Sequence, residues 1–354
     1  MMNRIVEIRD AINKAGLDAV ILFDYYNRRF ATAFPSSDGA VVVTSEKAYY
    51  ITDSRYIEAA QNSIEEAEVL DVVTAGKYPE MIKSILSDAG AERVGFEDFS
   101  MSYRSYRTYA DYLDAQLVPA QDILRKLRSV KTADEVALLQ RAQDITDETF
   151  SEVLKVINGD ITERELAAEL VYRMMRLGGD KESFDPIVVS GPNSSRPHGV
   201  PGDRKLEGFV TMDFGCMYRG YCSDMTRTVC VGTATEEMKA VYNTVLEAQL
   251  AGIAAAKADV IGESIDKAAR DVINNAGYGD YFGHGFGHSV GLEVHDGPGA
   301  SPSNENTLPA GYVVSAEPGI YIPGRFGVRI EDVIVLTRSG HINLTKSPKH
   351  LIEL

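Results

Sequence analysis

Hydrophobic and polar positions follow two periods along the chain, and the N-terminal part carries one arrangement twice. A polar, helix-like run ends at a glycine and an apolar run follows it, first at 15–23 and again at 89–96. Each passage predicts a helix that stops at its glycine and leads into a strand. Strand patterns at 40–44 and 48–52 complete a small α/β domain, which we predict to span residues 1–125.

The pattern changes beyond this point. Capping boxes begin at Thr132 and Thr162, and each precedes apolar residues at helical spacing. Beyond residue 185, short strands punctuated by Gly and Pro are interrupted by one long helical tract at about 236–276. We therefore predict an α+β fold for a second, larger domain at residues 126–354.

Composition narrows the class of protein. The 354 residues are 25% charged and 44% hydrophobic, which excludes a disordered, collagen-like or coiled-coil chain. The formal net charge is -16 and Lys and Arg form no run, so a nucleic-acid partner is not expected. The acidity indicates either a solubilising surface or carboxylates that serve a purpose inside the molecule.

The first residues, the lengths of the apolar runs and the cysteines indicate the cellular compartment in which we expect the protein. The first residues lack an apolar run that could act as a signal peptide, and the longest apolar runs are too short to span a membrane. Cys216, Cys222 and Cys230 lack the C-x-x-C spacing of a zinc site, so reduced thiols are favoured over a zinc cluster. We expect a cytoplasmic protein without a membrane partner.

Two acidic residues recur in the segment 210–228, which predicts two strands around a turn. A turn centred between Tyr218 and Arg219 sets Asp213 opposite Asp224. Carboxylates on directly opposed residues repel each other unless a proton or a cation lies between them.

A second segment, 314–333, repeats this arrangement with an explicit turn signal at Pro323-Gly324. Centring the turn on Gly324 sets Glu317 opposite Glu331, and strand alternation puts Arg329 on the face of Glu331. One such hairpin alone favours two solvated acids. Two hairpins with opposed acids amid apolar strands favour a shared site.

Between the hairpins, the Gly-rich segment 283–296 holds three of the six histidines of the chain. Its glycines argue against a helix and predict a loop or irregular strand close to other backbone. A single histidine is often a packed core or surface residue. Clustered between two acid pairs, a histidine is favoured as a metal ligand or proton carrier.

Four carboxylates and one imidazole form a ligand set for two divalent ions. Oxygen-rich coordination with one nitrogen suits Mn²⁺, Co²⁺, Fe²⁺ or Zn²⁺ better than a metal that prefers thiolates. Two such ions can share a bridging water, lower its pKa and hold a substrate carbonyl. The residues therefore predict a dinuclear metallohydrolase.

These motifs resemble the family of methionine aminopeptidase, aminopeptidase P and prolidase, metallopeptidases with the pita-bread fold. The resemblance rests on the passages around Met212-Asp213-Phe214-Gly215, Ser223-Asp224-Met225, Gly287-His288, Ala316-Glu317-Pro318-Gly319 and Arg329-Ile330-Glu331-Asp332. It implies the metal ligands Asp213, Asp224, His288, Glu317 and Glu331. The first 125 residues resemble the N-terminal domain of aminopeptidase P, prolidase and creatinase, which favours the Xaa-Pro branch.

The same resemblance implies the remaining site residues. A metal-bridging hydroxide would attack the carbonyl before proline, with Glu317 taking a proton and His198 and His295 stabilising the tetrahedral intermediate. Arg329 and Tyr321 would support the site or contact substrate, and Phe184 would line the pocket for the proline ring. No role follows for His284. A homodimer is also implied.

One departure bears on substrate length. Some prolidases carry an Arg after the proline of a His-acid-x-Pro motif, where it would bind the carboxylate of a dipeptide; this chain has Pro298-Gly299. We therefore predict an Xaa-Pro aminopeptidase that trims proline-containing peptides, with a dipeptide-restricted prolidase as the alternative. A non-catalytic peptide-binding module of the same shape is disfavoured because no ligand position is missing.

Overall fold

The computed structural model describes residues 4–75 and 77–354, so residues 1–3 of the predicted first domain lie outside the described residues. The chain forms two compact units, Met1–Arg128 and Ser129–Leu354. The predicted domains, 1–125 and 126–354, stay a prediction, because compactness alone does not show that a segment folds independently.

The first unit is built on a mixed six-stranded sheet in the order β4-β3-β2-β1-β5-β6. Its helix–strand passages and its strands at 40–44 and 48–52 are confirmed, and the two passages place β1 parallel to β5. The strands are β1 Ala19–Leu22, β2 Ala40–Thr44, β3 Ala48–Thr52, β4 Glu68–Asp71, β5 Arg93–Phe96 and β6 Gln116–Pro119. The helices are α1 Ile5–Lys14, α2 Tyr25–Thr32, α3 Ile57–Ser63, α4 Val72–Ala75, α5 Tyr78–Asp88, α6 Tyr103–Tyr112 and α7 Gln121–Ser129.

The second unit combines four long helices with short, mostly antiparallel strands. The helices are α8 Ala133–Val153, α9 Glu163–Arg176, α10 Glu236–Ala255 and α11 Gly262–Asn275, with 3₁₀ turns at Gly191–Ser195 and Gly279–Tyr281. The strands are β7 Lys181–Glu182, β8 Ile187–Ser190, β9 Gly208–Phe214, β10 Cys216–Tyr218, β11 Tyr221–Cys222, β12 Met225–Val231, β13 Val260–Ile261, β14 Thr307–Leu308, β15 Val313–Ala316, β16 Gly319–Ile322, β17 Phe326–Arg329, β18 Asp332–Thr337 and β19 Gly340–Asn343. The mixture of separate helices and antiparallel sheets is the predicted α+β class.

Both predicted capping boxes are confirmed. Thr132 and Thr162 accept hydrogen bonds from the backbone amides three residues on, and Glu135 and Glu165 return the contact. The single helical tract predicted at 236–276 is wrong. Residues between α10 and α11 leave the helix, with Asp259 in the left-handed region at φ 65°, and the two helices pack against each other instead.

The first acid hairpin has a different register from the predicted one. Tyr218 pairs with Tyr221, which makes Arg219 and Gly220 the two turn residues, both with positive φ. Glycine at the second turn position favours this primed turn, which matches the twist of the flanking strands. Asp213 therefore faces Thr226, not Asp224. Asp224 lies two residues before Thr226, so the acids are diagonal neighbours.

The second hairpin has the predicted register. Ile322 pairs with Phe326 and Gly319 with Arg329, so the turn is centred on Gly324. The same register resumes in the outer ladder, where β15 pairs with β18. Glu317 and Glu331 occupy the opening between these two ladders, where their side chains oppose each other.

Two observations bear on location and thiol chemistry. Within the described ranges, no helix combines the length and the apolar character needed to cross a membrane. Cys216, Cys222 and Cys230 are free and buried, and in the described part of the chain they belong to no group of metal-ligating side chains.

Candidate metal centre

The two hairpins and the Gly-rich loop meet at one place because backbone bonds tie them together. The amide of Glu331 donates to Thr226 O at 3.1 Å, which joins the second hairpin to the first. The amide of Glu317 donates to Phe286 O at 2.8 Å, which joins the second hairpin to the loop. The opening between ladders frees both amides for these longer connections.

The Gly-rich loop is an irregular segment, as predicted, and it lies against β15. The His288 amide donates to Ser315 Oγ at 2.9 Å, and the Ser315 amide donates to His288 O at 2.8 Å. A Cβ on Gly287 would lie 1.9 Å from Ser315 O, so only glycine allows this approach. The loop backbone thereby fixes the imidazole of His288.

The predicted ligands converge. His288 Nε2 lies 3.4 Å from Asp224 Oδ2 and 3.3 Å from Glu317 Oε1. One ligand atom each of Asp224, His288 and Glu331 lies within 4.8 Å of the others. Asp213 is part of the same cluster, since its charge and those of Glu317 and His288 act on one another.

Several carboxylate oxygens in this cluster are buried without a partner. Among the described residues, Asp213 Oδ1, Asp224 Oδ1 and Glu331 Oε1 accept no hydrogen bond. Buried polar atoms are normally paired, so these clustered carboxylate oxygens favour either a proton or a cation between them. Four carboxylates and one imidazole fit the coordination chemistry of divalent ions, so the side chains present suit the implied metals.

Burial and mutual repulsion raise the pKa values of these acids. Burial, together with Asp213 and Glu317, raises the pKa of Asp224 to about 7 against the opposing effect of His288. Burial, Asp224 and Glu317 hold the pKa of Glu331 well above its ordinary value. Burial lowers the pKa of His288, but Asp224 and Glu317 outweigh it and raise the pKa to about 9. A bound cation reverses this balance and favours ionised acids and a neutral imidazole.

These shifts predict a pH-dependent stabilisation by metal. The folded-state pKa of Asp224 lies above its ordinary value of 3.8. The contribution of Asp224 to the free energy of unfolding is therefore fully present at pH values below 3.8. The contribution is lost as pH rises through about 7. We expect the gain in Tm from added Mn²⁺ over chelated protein to be larger near pH 8 than near pH 5, as measured by scanning calorimetry. An equal or smaller gain near pH 8 would contradict the clustered acids.

Arg329 connects the cluster to its surroundings. Its guanidinium is 3% exposed and donates to Asp213 Oδ2 at 2.6 Å, to Thr226 Oγ1 at 3.0 Å and to Tyr321 Oη at 2.9 Å. Thr226 Oγ1 in turn donates to Glu331 Oε2 at 2.7 Å. Arg329 and Thr226 therefore orient one carboxylate from each hairpin.

The cluster forms the floor of a cavity of about 720 Å³. His198, His295 and Phe184 line the cavity; both imidazoles are exposed and Phe184 is half-buried. Tyr321 is not among the residues that line it, and its predicted contact with substrate stays a prediction. The buried hydroxyl of Tyr321 accepts a hydrogen bond from Arg329 and forms another with His284 Nε2, both at 2.9 Å. His284, by contrast, lines the cavity.

A buried ion pair between Arg227 and Asp332 adjoins Glu331. Arg227 and Asp332 are each 1% exposed, and Arg227 Nη2 donates to Asp332 Oδ1 at 2.9 Å. Arg227 also donates to the carbonyls of Thr226, Glu331, Ser347 and Pro348. One side chain thereby joins β12, the residue Glu331 and the C-terminal segment.

Sequence reasoning named Arg329 but missed two other residues that orient the ligands. Ser315 Oγ donates to Glu317 Oε1 at 3.0 Å, and Thr226 orients Glu331. The primed-turn signal at Arg219-Gly220 would have set Thr226 opposite Asp213 and given one of them. Strand alternation would also have placed Ser315 on the face of Glu317, although it does not give the hydrogen bond between them.

Comparison with known proteins gives two family matches. A model of metallopeptidase family M24 matches residues 137–338, and a model of the Creatinase/Prolidase N-terminal domain matches residues 4–130. Together they cover nearly the whole chain.

Individual relatives match over their full length. An uncharacterized peptidase, YqhT of Bacillus subtilis (strain 168), is 41% identical over 99% of this chain and 100% of its own. The solved Xaa-Pro dipeptidase from Bacillus anthracis is 40% identical with a TM-score of 0.95, covering 99% of both chains. The solved X-Pro aminopeptidase from Thermotoga maritima MSB8 is 33% identical with a TM-score of 0.93, covering 100% of both.

Proposed function

The chain belongs to metallopeptidase family M24, and from this membership and the geometry of the site we propose that it is an Xaa-Pro aminopeptidase. The predicted fold is confirmed: a creatinase-like N-terminal domain precedes a pita-bread catalytic domain. A chain of this family is a peptidase that uses divalent metal, so the alternative of a non-catalytic module falls away. The proposed reaction is hydrolysis of the bond between an N-terminal residue and a following proline.

The observation that carries the proposal is the set of unpaired, buried carboxylate oxygens on the floor of a cavity with histidines on its wall. Asp213, Asp224, His288, Glu317 and Glu331 would hold two divalent ions, for which we propose Mn²⁺. When bound, such ions lower the pKa of water and polarise a substrate carbonyl.

The chain's own residues supply proton transfer and charge stabilisation. Glu317 is held by Ser315 Oγ and is open to the cavity, so its carboxylate can accept a proton from the attacking water. Burial and the neighbouring His288 lower the pKa of His295, so its ring is neutral near pH 7 and donates from one N–H. His198 and His295 would stabilise negative charge on the substrate oxygen.

The cavity lining includes apolar side chains that suit a proline ring. Among them are Phe184, Ile187, Val200 and Val294. Proline presents an apolar ring and no amide N–H, so apolar side chains bind it without leaving a polar group unpaired. Phe184 is proposed to contact the ring.

Among the described residues, no free Lys or Arg side chain lines the cavity to bind a dipeptide carboxylate. Within the described residues, Arg329 is the only Lys or Arg that lines it, and Arg329 is already bound to Asp213. Gly299 lines the cavity where an arginine could reach, but a Cβ there would lie 2.0 Å from Gly287 O. These two observations favour peptides longer than two residues.

A prolidase restricted to dipeptides is the second candidate. It is supported by the Xaa-Pro dipeptidase from Bacillus anthracis, which this chain resembles across its length. The homodimer and the cytoplasmic location stay predictions.

We expect chelated protein to regain Xaa-Pro hydrolysis when Mn²⁺ is added. The informative substrates are Ala-Pro, Ala-Pro-amide and Ala-Pro-Ala, with Ala-Ala-Ala as the control for proline. If no cation binds the carboxylate, the amide and the tripeptide are cleaved at least as well as Ala-Pro, measured as kcat/KM. If a cation does bind the carboxylate, amidation lowers kcat/KM by roughly 10-fold or more.

The outcomes separate the candidates. Cleavage of Ala-Pro alone would establish the dipeptidase and overturn our preference. No hydrolysis of any proline substrate with Mn²⁺, Co²⁺, Fe²⁺ or Zn²⁺ would overturn the proposed reaction itself.

A further inference from the structure

A buried ion pair lies behind the loop that carries His288 and His295, and the proposed chemistry does not use it. Lys131 Nζ lies 3.1 Å from Asp296 Oδ2, and the two side chains are 1% and 2% exposed. Neither residue lines the cavity. Asp296 directly follows His295, so the pair acts on the backbone at that histidine.

A backbone hydrogen bond joins the two residues that directly follow His288 and His295. The Asp296 amide donates to Ser289 O at 2.9 Å. His288 and His295 precede these two positions, and their rings stack with centroids 4.0 Å apart and planes 29° apart. The carboxylate of Asp296 also packs on the loop backbone, since a Cβ on Gly291 would lie 1.9 Å from Asp296 Oδ2. The placement of Asp296 thus sets the position of His295 over His288.

The two histidines differ in what holds them. His288 is tied to Ser315 through its amide and its carbonyl. The ring of His295, by contrast, makes no hydrogen bond to any described residue, and its side chain is exposed in the cavity. Its orientation therefore depends on its own backbone and on the stack with His288.

Lys131 is itself on a fixed segment. Its amide donates to Gly311 O at 3.0 Å, and its neighbour Val130 forms a bridge with Tyr312. The next residue, Thr132, caps α8. The ammonium group thus holds the Asp296 carboxylate from a segment that the rest of the unit anchors.

We propose that Lys131 is a positioning residue that acts through Asp296 to hold His295 in its working orientation. The proposal rests on the catalytic role of His295 in the proposed function. Removing the ammonium group from a buried carboxylate is unfavourable, so we expect the loop around Asp296 to shift when Lys131 loses its charge.

The test is a double-mutant cycle on kcat. Lys131→Met is expected to lower kcat by roughly 10- to 100-fold, since a small misplacement of a reacting group has effects of this size. Metal content and KM should stay near the wild-type values, because the ligands have separate anchors. In a His295→Ala background, Lys131→Met should lower kcat no further. Equal losses in both backgrounds would overturn the proposal.

Two further variants separate positioning from stability. Lys131→Met combined with Asp296→Asn removes both buried charges and should preserve the fold, yet it should keep the loss in kcat. Arg173→Met breaks the ion pairs with Glu152 and Glu169 at a site outside the cavity lining and is the matched control with unchanged kcat. A wild-type kcat in the double variant would overturn the proposal.

A structural readout does not depend on activity. In a crystal structure of Lys131→Met, the rings of His288 and His295 should no longer stack at the wild-type distance of 4.0 Å. An unchanged stack would overturn the positioning role. Wild-type protein without Xaa-Pro hydrolysis would overturn only the proposed function, because the ring geometry remains measurable.

Discussion

Asp224→Asn is expected to lower Xaa-Pro hydrolysis by roughly three orders of magnitude and to remove one of two bound ions. The substitution keeps the shape of the side chain but replaces an anionic oxygen with a neutral amide. Metal assistance contributes several kcal/mol of transition-state stabilisation, and each 1.4 kcal/mol corresponds to about tenfold in rate. Metal content by mass spectrometry and kcat/KM with Ala-Pro-Ala measure the two effects.

The same variant should be more stable than wild type when both are chelated. Asp224 is 3% exposed and its pKa is raised to about 7 by burial and neighbouring acids, so its charge opposes folding at neutral pH. Removing that charge should raise Tm by several degrees. Asp160→Asn is the control, since it makes the same change of charge in a side chain that is 96% exposed. Retention of both ions in Asp224→Asn would reject Asp224 as a ligand.

Arg227→Met is expected to be the most destabilising single substitution that we propose. The methionine fills much of the volume but removes one donor from Asp332 and one from each of four backbone carbonyls, of which Thr226 O keeps the amide of Glu331. Breaking a buried ion pair in this way costs about 3–5 kcal/mol. Lys349, which lies 2.8 Å from Asp332 Oδ2, keeps part of the compensation. Urea unfolding followed by circular dichroism measures the loss.

The matched control is Arg325→Met in the same unit. Arg325 pairs with Glu237, but both side chains are about half exposed, at 52% and 47%. Water and salt screen such a pair, so little change in stability is expected. Similar losses for the two variants would show that burial does not set the strength of the Arg227 pair.

The two acid hairpins show how far sequence reasoning reaches. Pro323-Gly324 determines both turn type and centre, so the register of the second hairpin follows from the sequence. The first hairpin lacks a proline, and its turn uses Arg219 in the left-handed region, which is uncommon for a residue with a Cβ. The prediction was therefore wrong by two positions along one strand, although both acids remained on one face.

The candidate site shows the same limit on a larger scale. Residue types and their order indicate which side chains share a centre, because few chemistries use four acids and a histidine. The sequence identified Arg329 as a support of the site but not the neutral groups that orient the ligands. Thr226 bonds to Glu331 across 105 positions of the chain, and Ser315 joins Glu317 to the amide of His288, 27 positions away. Only the folded backbone brings these segments together.

The bond from Thr226 Oγ1 to Glu331 Oε2 spans 105 positions of the chain, and the one from Arg329 to Asp213 spans 116. Contacts of such high contact order form late, because the entropy of closing a long loop must be overcome before they stabilise anything. During synthesis, most of the second unit must therefore leave the ribosome before the five side chains can meet. The complete centre of five side chains can therefore bind metal only after the two hairpins have come together.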